Sequence, residues 1–159
     1  MYLYDNLFSE YSITVAQLLL TKYILLEDRR KNVENALERL ISQGVIPVVN
    51  ENDTVAIDEL ELEMGENDSL AAVVATIANA DLLIIMSDID GLYDSDPRQN
   101  PDAKMIPVVR EISEDIHAVA GGAGTKFGTG GMATKIHAVE IAYESDIDVV
   151  LMNGQHPKK

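Results

Sequence analysis

Cysteine is absent from the 159 residues, and basic side chains are scarce, with 12 lysines and arginines against 27 aspartates and glutamates for a formal net charge of -15. Lack of cysteine excludes disulfides, thiolate zinc sites and thiol catalysis, and it suits a reducing, cytoplasmic compartment. The acidic balance removes favourable electrostatics with a nucleic-acid backbone or an anionic lipid surface, so neither nucleic acid nor membrane is expected as a partner. No apolar run approaches the roughly 18 residues of a membrane span, and the first residues show neither a basic n-region nor an apolar h-region. What is present is the length of one domain with 47% apolar residues, enough to bury a core. An anionic ligand in so acidic a chain needs local positive charge, which makes the individual basic residues informative, Lys135 first.

Three short apolar runs without alternation, Val45–Val49, Leu82–Met86 and Val149–Met152, predict buried parallel strands. Helical patterns lie around them. Arg29–Ser42 has Asp28 as its expected N-cap and Gly44 as its stop, Asp68–Asn79 is Ala-rich, and Met132–Tyr143 sets Ile136, Val139 and Tyr143 on one face. The segment Ser9–Leu20 also reads as helical, although Ile13, Thr14 and Val15 lower its propensity. The alternation predicts an α/β sheet with helices on both faces. The polar interval Gly91–Phe127 breaks it, with Pro97, Pro101 and Pro107 and one short strand candidate at Ile106, Val108 and Val109. It reads as an elaborated loop or hairpin, either a binding loop or a plain surface insertion.

Each strand candidate ends in polar residues: Asn50 with Glu51, Asn52 and Asp53; Ser87 with Asp88; and Asn153 before Gly154. In open α/β sheets ligands bind at the carboxyl ends of strands, although Asn, Asp and Ser also serve as ordinary caps and turns. The turn Gly128-Thr129-Gly130-Gly131-Met132-Ala133-Thr134-Lys135 lets backbone N–H groups approach an anion closely, with a helix N-terminus behind it and Lys135 one turn in. The competing reading is a flexible loop ahead of a solvated lysine. Asp68, with Asn67 before it, reads as a cap or as a carboxylate orienting a lysine or a magnesium-bound phosphate. The spaced aspartates from Asp88 to Asp96 lack the glutamate and the preceding helix of a calcium loop, and His117, His137 and His156 have no zinc or triad spacing.

NENDTV (50–55), GENDSLAAVVA (65–75), ADLLIIMSDIDGLYDSDPR (80–98) and GTGGMATK (128–135) together resemble the amino acid kinase family over nearly the whole chain. The order of NEND, ND and GTGGMxTK is similar to members that phosphorylate L-glutamate. The resemblance implies a three-layer αβα sandwich with a mainly parallel central sheet. It also implies transfer of the ATP γ-phosphoryl group, with Mg2+, to the L-glutamate side chain, giving γ-glutamyl phosphate for proline biosynthesis. Proline as a feedback inhibitor and a homo-oligomeric state are further implications. By motif position Asn50, Asp53 and Asn67 would bind glutamate, and Ser87 and Asp88 the nucleotide. Thr129, Gly130, Gly131, Met132, Ala133, Thr134 and Lys135 would hold phosphates, with Lys135 and Asp68 as the catalytic pair. Asp68 would orient lysines, since a carboxylate acceptor needs no base at neutral pH.

Two departures qualify this. Glu66 stands where the family usually has aspartate, and the family's first strand, with its second phosphate lysine and glycine loop, has no counterpart ahead of Met1. Residues 1–159 therefore read as the nucleotide-binding, C-terminal part of such a domain, incomplete at the N-terminus, without an appended RNA-modification-type domain, and impaired in catalysis alone. The alternatives are kinases of acetylglutamate, aspartate or a nucleoside monophosphate, or a non-catalytic nucleotide- or proline-binding fragment.

Overall fold

The structure, a computed structural model, describes residues 1–21, 24, 26–52, 67–122 and 131–155. Five helices and four strands are described: α1 Tyr2–Ser9, β1 Val15–Leu20, α2 Glu27–Ser42, β2 Ile46–Glu51, α3 Asn67–Ile77, β3 Leu82–Ser87, α4 Glu114–Gly122, α5 Met132–Tyr143 and β4 Asp148–Asn153. β1 pairs with β2 and β3 with β4, both parallel, so the chain is of the α/β class expected from its alternation. The chain forms two compact units, Met1–Leu70 and Ala71–Lys159.

In the first unit the segment Ser9–Leu20, expected to be helical, holds β1 instead. The described helix, α1, lies ahead of it and ends at Ser9, and Val15–Leu20 runs in register with Ile46–Glu51. A short apolar run carries no periodicity that separates strand from helix. The β-branched Ile13, Thr14 and Val15 disfavour a helix leading into the run, and a parallel pairing partner decides Val15–Leu20 for strand. α2 starts at Glu27 with Leu26 at its N-cap, so Asp28 lies in the first turn rather than capping it. There its charge favours the positive end of the helix dipole. Leu37, 1% exposed, is the buried anchor of α2.

In the second unit α3 and α5 lie on one face of the β3–β4 pair. Ala72 and Ala75 of α3 and Ala138 and Ala142 of α5 pack with Leu83, Ile85 and Ile147. Ala72, Ala138 and Ala142 are wholly buried. A methyl group at these positions lets each helix approach the sheet closely, while burial of Leu83 and Ile85 contributes about 1.5–3 kcal/mol each. The alternate residues Leu82, Ile84, Met86 and Val150 remain exposed. A second cluster joins Leu92 to Ala120 of α4 and Ile136 of α5, flanked by Ile106, Ile112, Ile116, Val119 and Met132. The interval read as loop or hairpin thus contains helix α4. Its expected strand near Ile106 is reduced to one antiparallel bridge between Tyr93 and Met105.

Four helices end in one device. Ser12, Gly44, Asn79 and Asp146 take left-handed φ values of 58°, 71°, 49° and 57°. The following N–H groups of Ile13, Val45, Ala80 and Ile147 donate back to the carbonyls of Phe8, Leu40, Ala75 and Ala142 at 2.9–3.1 Å. This is the six-residue Schellman closure, which satisfies carbonyls that the last turn leaves open. In each case a strand begins within three residues, so every one of these helices turns directly back along its strand.

Candidate functional site

α5 reaches β4 through four residues and must run antiparallel to it. Twelve helical residues rise about 18 Å and six strand residues extend about 20 Å, so the α5 N-terminus stands at the carboxyl edge of β3 and β4. Ser87 and Asn153, the last residues of the two strands, are register partners at that edge. The Gly154 N–H donates to the Ser87 carbonyl at 2.8 Å. A Cβ at Gly154 would lie 3.2 Å from Met86 Cβ, so glycine permits this close approach.

Around this edge the side chains tie to one another. The Ser87 hydroxyl donates to Asp88 Oδ1 at 3.2 Å, and Arg98 donates to Asp88 Oδ2 at 2.7 Å. The Ser87 hydroxyl, the backbone N–H of Asp88 and the Arg98 guanidinium together hold the Asp88 carboxyl below its ordinary range. Asn153 Nδ2 donates to Asp90 Oδ1 at 2.8 Å, while Asn153 Oδ1 accepts from the Gln155 N–H at 2.9 Å. Asp94 and Asp96 are taken up within their own loop, by the Lys104 N–H and by the Arg98 N–H and Gln99 Nε2 respectively. Among the described residues no three His, Cys, Asp or Glu side chains form a group able to hold a metal ion.

The N-terminus of α5 differs chemically from the others. Helices α1 to α4 each carry an acidic residue in the first turn, namely Asp5, Glu27 with Asp28, Asp68, and Glu114 with Asp115. α5 carries none, its N-cap Gly131 brings no side-chain oxygen, and Lys135 lies one turn in. Thr134 closes the turn inward, its hydroxyl donating to the Gly131 carbonyl at 2.7 Å. In a chain of net charge -15 this is the helix start best suited to an anion.

Of the residues singled out in the sequence, Ser87, Asp88, Gly131, Met132, Ala133, Thr134 and Lys135 belong to the second unit and its carboxyl edge. Asn50 pairs with Leu19 within β2, one residue before its end, and Asn67 and Asp68 open α3; these three belong to the first unit. Asp53, Thr129 and Gly130 lie outside the described residues. Sequence reasoning gave no role to Arg98, nor to the histidines. His117 Nε2 of α4 lies 3.0 Å from Glu140 Oε1 of α5, tying α4 to α5, while His137 Nδ1 lies 3.5 Å from Glu140 Oε2 within α5; His156 is outside the described residues. An open depression of about 530 Å³ over α2 is lined, among the described residues, by the polar side chains of Asn35, Glu38, Arg39, Ser42 and Gln43, without the apolar wall of a small-molecule site. No described helix is long and apolar enough to cross a membrane.

Comparison with known proteins agrees with this architecture. Over 161 aligned residues the chain is 52% identical to a glutamate 5-kinase of Clostridium perfringens (strain 13 / Type A), covering 99% of this chain and 60% of that protein. It is 53% identical to a glutamate 5-kinase of Caldanaerobacter subterraneus subsp. tengcongensis, covering 96% of this chain and 41% of the relative. The chain therefore spans roughly half the length of these relatives. Among solved structures, E. coli aspartokinase III in complex with aspartate and ADP superposes with a TM-score of 0.67 at 20% identity, over 99% of this chain and 36% of that one. T. acidophilum isopentenyl phosphate kinase in a product complex gives a TM-score of 0.59 at 21% identity, over 96% and 56%. These two likenesses concern the fold alone. Residues 1–153 match the amino acid kinase family, and the chain belongs to that family.

Proposed function

We propose that this chain forms the nucleotide-binding part of a glutamate 5-kinase, which transfers the γ-phosphoryl group of magnesium-bound ATP to the side-chain carboxylate of L-glutamate. The observation that carries the reading is the start of α5, free of acid in its first turn and bearing Lys135, at the edge where Ser87 ends β3 and Asp88 follows it. The relatives named glutamate 5-kinase support the acceptor. In the reaction a glutamate carboxylate oxygen bonds to the γ-phosphorus as the bond from that phosphorus to the β,γ-bridging oxygen breaks. The electron pair leaves with ADP. A carboxylate is already ionised at neutral pH, so no base is required and catalysis consists of alignment and charge stabilisation.

Each residue then has a defined task. N–H groups from Thr129 to Ala133 and the α5 dipole receive phosphate oxygens, with Thr134 shaping the turn. Lys135 disperses the charge of the moving phosphoryl group. Ser87 and Asp88 receive the nucleotide at the strand end, Asn50, Asp53 and Asn67 bind glutamate, and Asp68 orients the lysine. Magnesium would enter with the nucleotide's own phosphates and would supply neutralisation of their charge. The product, γ-glutamyl phosphate, is the activated acid that begins proline biosynthesis in the cytoplasm. Proline feedback and assembly with further copies of the chain belong to the same proposal.

The test is thermal unfolding with magnesium-ADP. Ligand at 100 times its dissociation constant stabilises by about 2.7 kcal/mol. Lys135→Ala weakens binding roughly tenfold, on the scale of one charge-assisted hydrogen bond. A shift in the wild type that Lys135→Ala leaves intact refutes the assignment of the turn. Absence of any shift in the wild type refutes nucleotide binding.

A further inference from the structure

Asp88 stands at the edge of the proposed site with both oxygens engaged from two directions, by Ser87 at 3.2 Å and by Arg98 at 2.7 Å. Arg98 has no part in the reading above, yet its loop is braced so as to deliver it. Its own N–H donates to Asp96 Oδ1 at 2.9 Å, and Gln99 Nε2 donates to Asp96 Oδ2 at 3.0 Å. The N–H groups of Gln99 and Asn100 both donate to the Asp96 carbonyl, at 3.0 and 2.8 Å, closing a turn that contains Pro97. At the base of the loop Asp94 and Lys104 exchange two bonds of 2.9 Å, and the Ile106 N–H donates to the carbonyl of buried Leu92 at 2.8 Å.

The ion pair at the end of this framework is 70% and 69% exposed. Exposed pairs contribute at most about 1 kcal/mol to stability, which leaves the ligand edge as the place where so firmly tied a turn would matter most. A short strand-end aspartate that faced water alone would sample several rotamers and present a full negative charge to an incoming phosphate. One guanidinium N–H on Oδ2, with the Ser87 hydroxyl on Oδ1, favours a single rotamer and offsets part of that charge.

We infer that Arg98 is a positioning residue for nucleotide binding that acts through Asp88, fixing the carboxylate with which the strand end receives the nucleotide. The inference rests on the proposed nucleotide site. It is tested on the full 159-residue chain by titration calorimetry with magnesium-ADP, using Arg98→Ala, Arg98→Lys, Asp88→Asn and the Arg98→Ala/Asp88→Asn double variant. Arg98→Ala is expected to weaken ADP binding about fivefold, the upper range for an exposed ion pair. Asp88→Asn weakens it comparably, the double variant is no weaker than the worse single one, and Arg98→Lys recovers part of the loss. Unchanged affinity in Arg98→Ala overturns the inference and shows a surface ion pair only. Multiplying losses in the double variant also overturn it, because they show Arg98 touching the ligand or acting through space. Failure of the wild type to bind ADP overturns the functional reading and this inference together, and is thereby distinguishable from the other two results.

Discussion

Replacing Gly44 by L-alanine should destabilise the chain by about 1 kcal/mol, and replacing it by D-alanine should stabilise it. Gly44 ends α2 at φ 71°, and a Cβ built there meets no atom within 4 Å. Steric crowding by neighbours is therefore absent, and the effect reduces to backbone conformation. An L-residue in the left-handed region costs about 1–2 kcal/mol relative to its ordinary conformations. The loss of chain freedom in the unfolded state returns about 0.4–1 kcal/mol, leaving a net destabilisation near 1 kcal/mol. For D-alanine the left-handed region is the preferred one, so only the stabilising unfolded-state contribution remains, again about 0.4–1 kcal/mol. The pair can be made by semisynthesis and compared by thermal and urea unfolding at equal m-value. One kcal/mol corresponds to roughly 2–4 °C in a domain of this size. Equal Tm values for the two enantiomers would refute the reasoning, since they would mean that the backbone relaxes out of the left-handed region. A loss above 3 kcal/mol for L-alanine would show that the side chain meets atoms the structure places elsewhere.

Four further outcomes are expected. Asp146→Gly raises stability by about 0.5 kcal/mol in urea melts, because it relieves a left-handed aspartate and removes a negative charge from the negative end of α5, against the flexibility glycine adds. Ala142→Leu lowers it by about 1–3 kcal/mol, because the wholly buried methyl lies in a close-packed cluster against β3; unchanged stability would mean that the helix–sheet contact is loose. Gly154→Ala is more damaging than Gly91→Ala in the same assay. The first sets its Cβ 3.2 Å from the Cβ of Met86, the second 3.2 Å from the mobile Met105 sulfur, which turns aside. Because the folded-state carboxyl of Asp88 titrates below its ordinary value, its contribution to stability is present above the unfolded-state range near pH 4 and lost as pH falls through the depressed folded value. The Tm difference between wild type and Arg98→Ala should therefore shrink on acidification, and a difference that grows would contradict the sign.

Three of the four strands and three of the five helices were legible in the sequence because strand runs such as Leu82–Met86 are apolar throughout and helix runs such as Arg29–Ser42 repeat every three to four residues. VAQLLL was misjudged because six apolar-rich residues fit either element, and only pairing with IPVVNE settles the matter. α4 was missed because EDIHAVAGG is short, sits in a proline-bounded polar interval, and is held by tertiary contacts to Ile136 rather than by its own propensity. The candidate edge was visible because polar residues close each of the three strands read from the sequence, β2, β3 and β4, although β1 ends in Leu20. Arg98 was not visible, since its ten-residue return to Asp88 is made by the folded loop and by no spacing in the sequence. Asn79 and Asp146 likewise gave no sign of their left-handed turns, which Gly44 alone announced.

The two strand pairs are separated by very different lengths of chain: residues 21–45 between β1 and β2, and 88–147 between β3 and β4. In the flexible-chain limit each doubling of a closed segment costs only about 0.6 kcal/mol, so the longer excursion is about 0.8 kcal/mol harder to close than the shorter one. That difference is smaller than the effect of one misplaced methyl group in the core. The β3–β4 pair can thus accept long insertions at its carboxyl edge at little thermodynamic expense, provided that each inserted segment, as the Asp94–Lys104 loop does, supplies its own hydrogen bonds. Variation in length is therefore cheap where ligands would be met and costly where the alanines of α3 and α5 meet the strands, which separates the part of this polypeptide free to diversify from the part that is not.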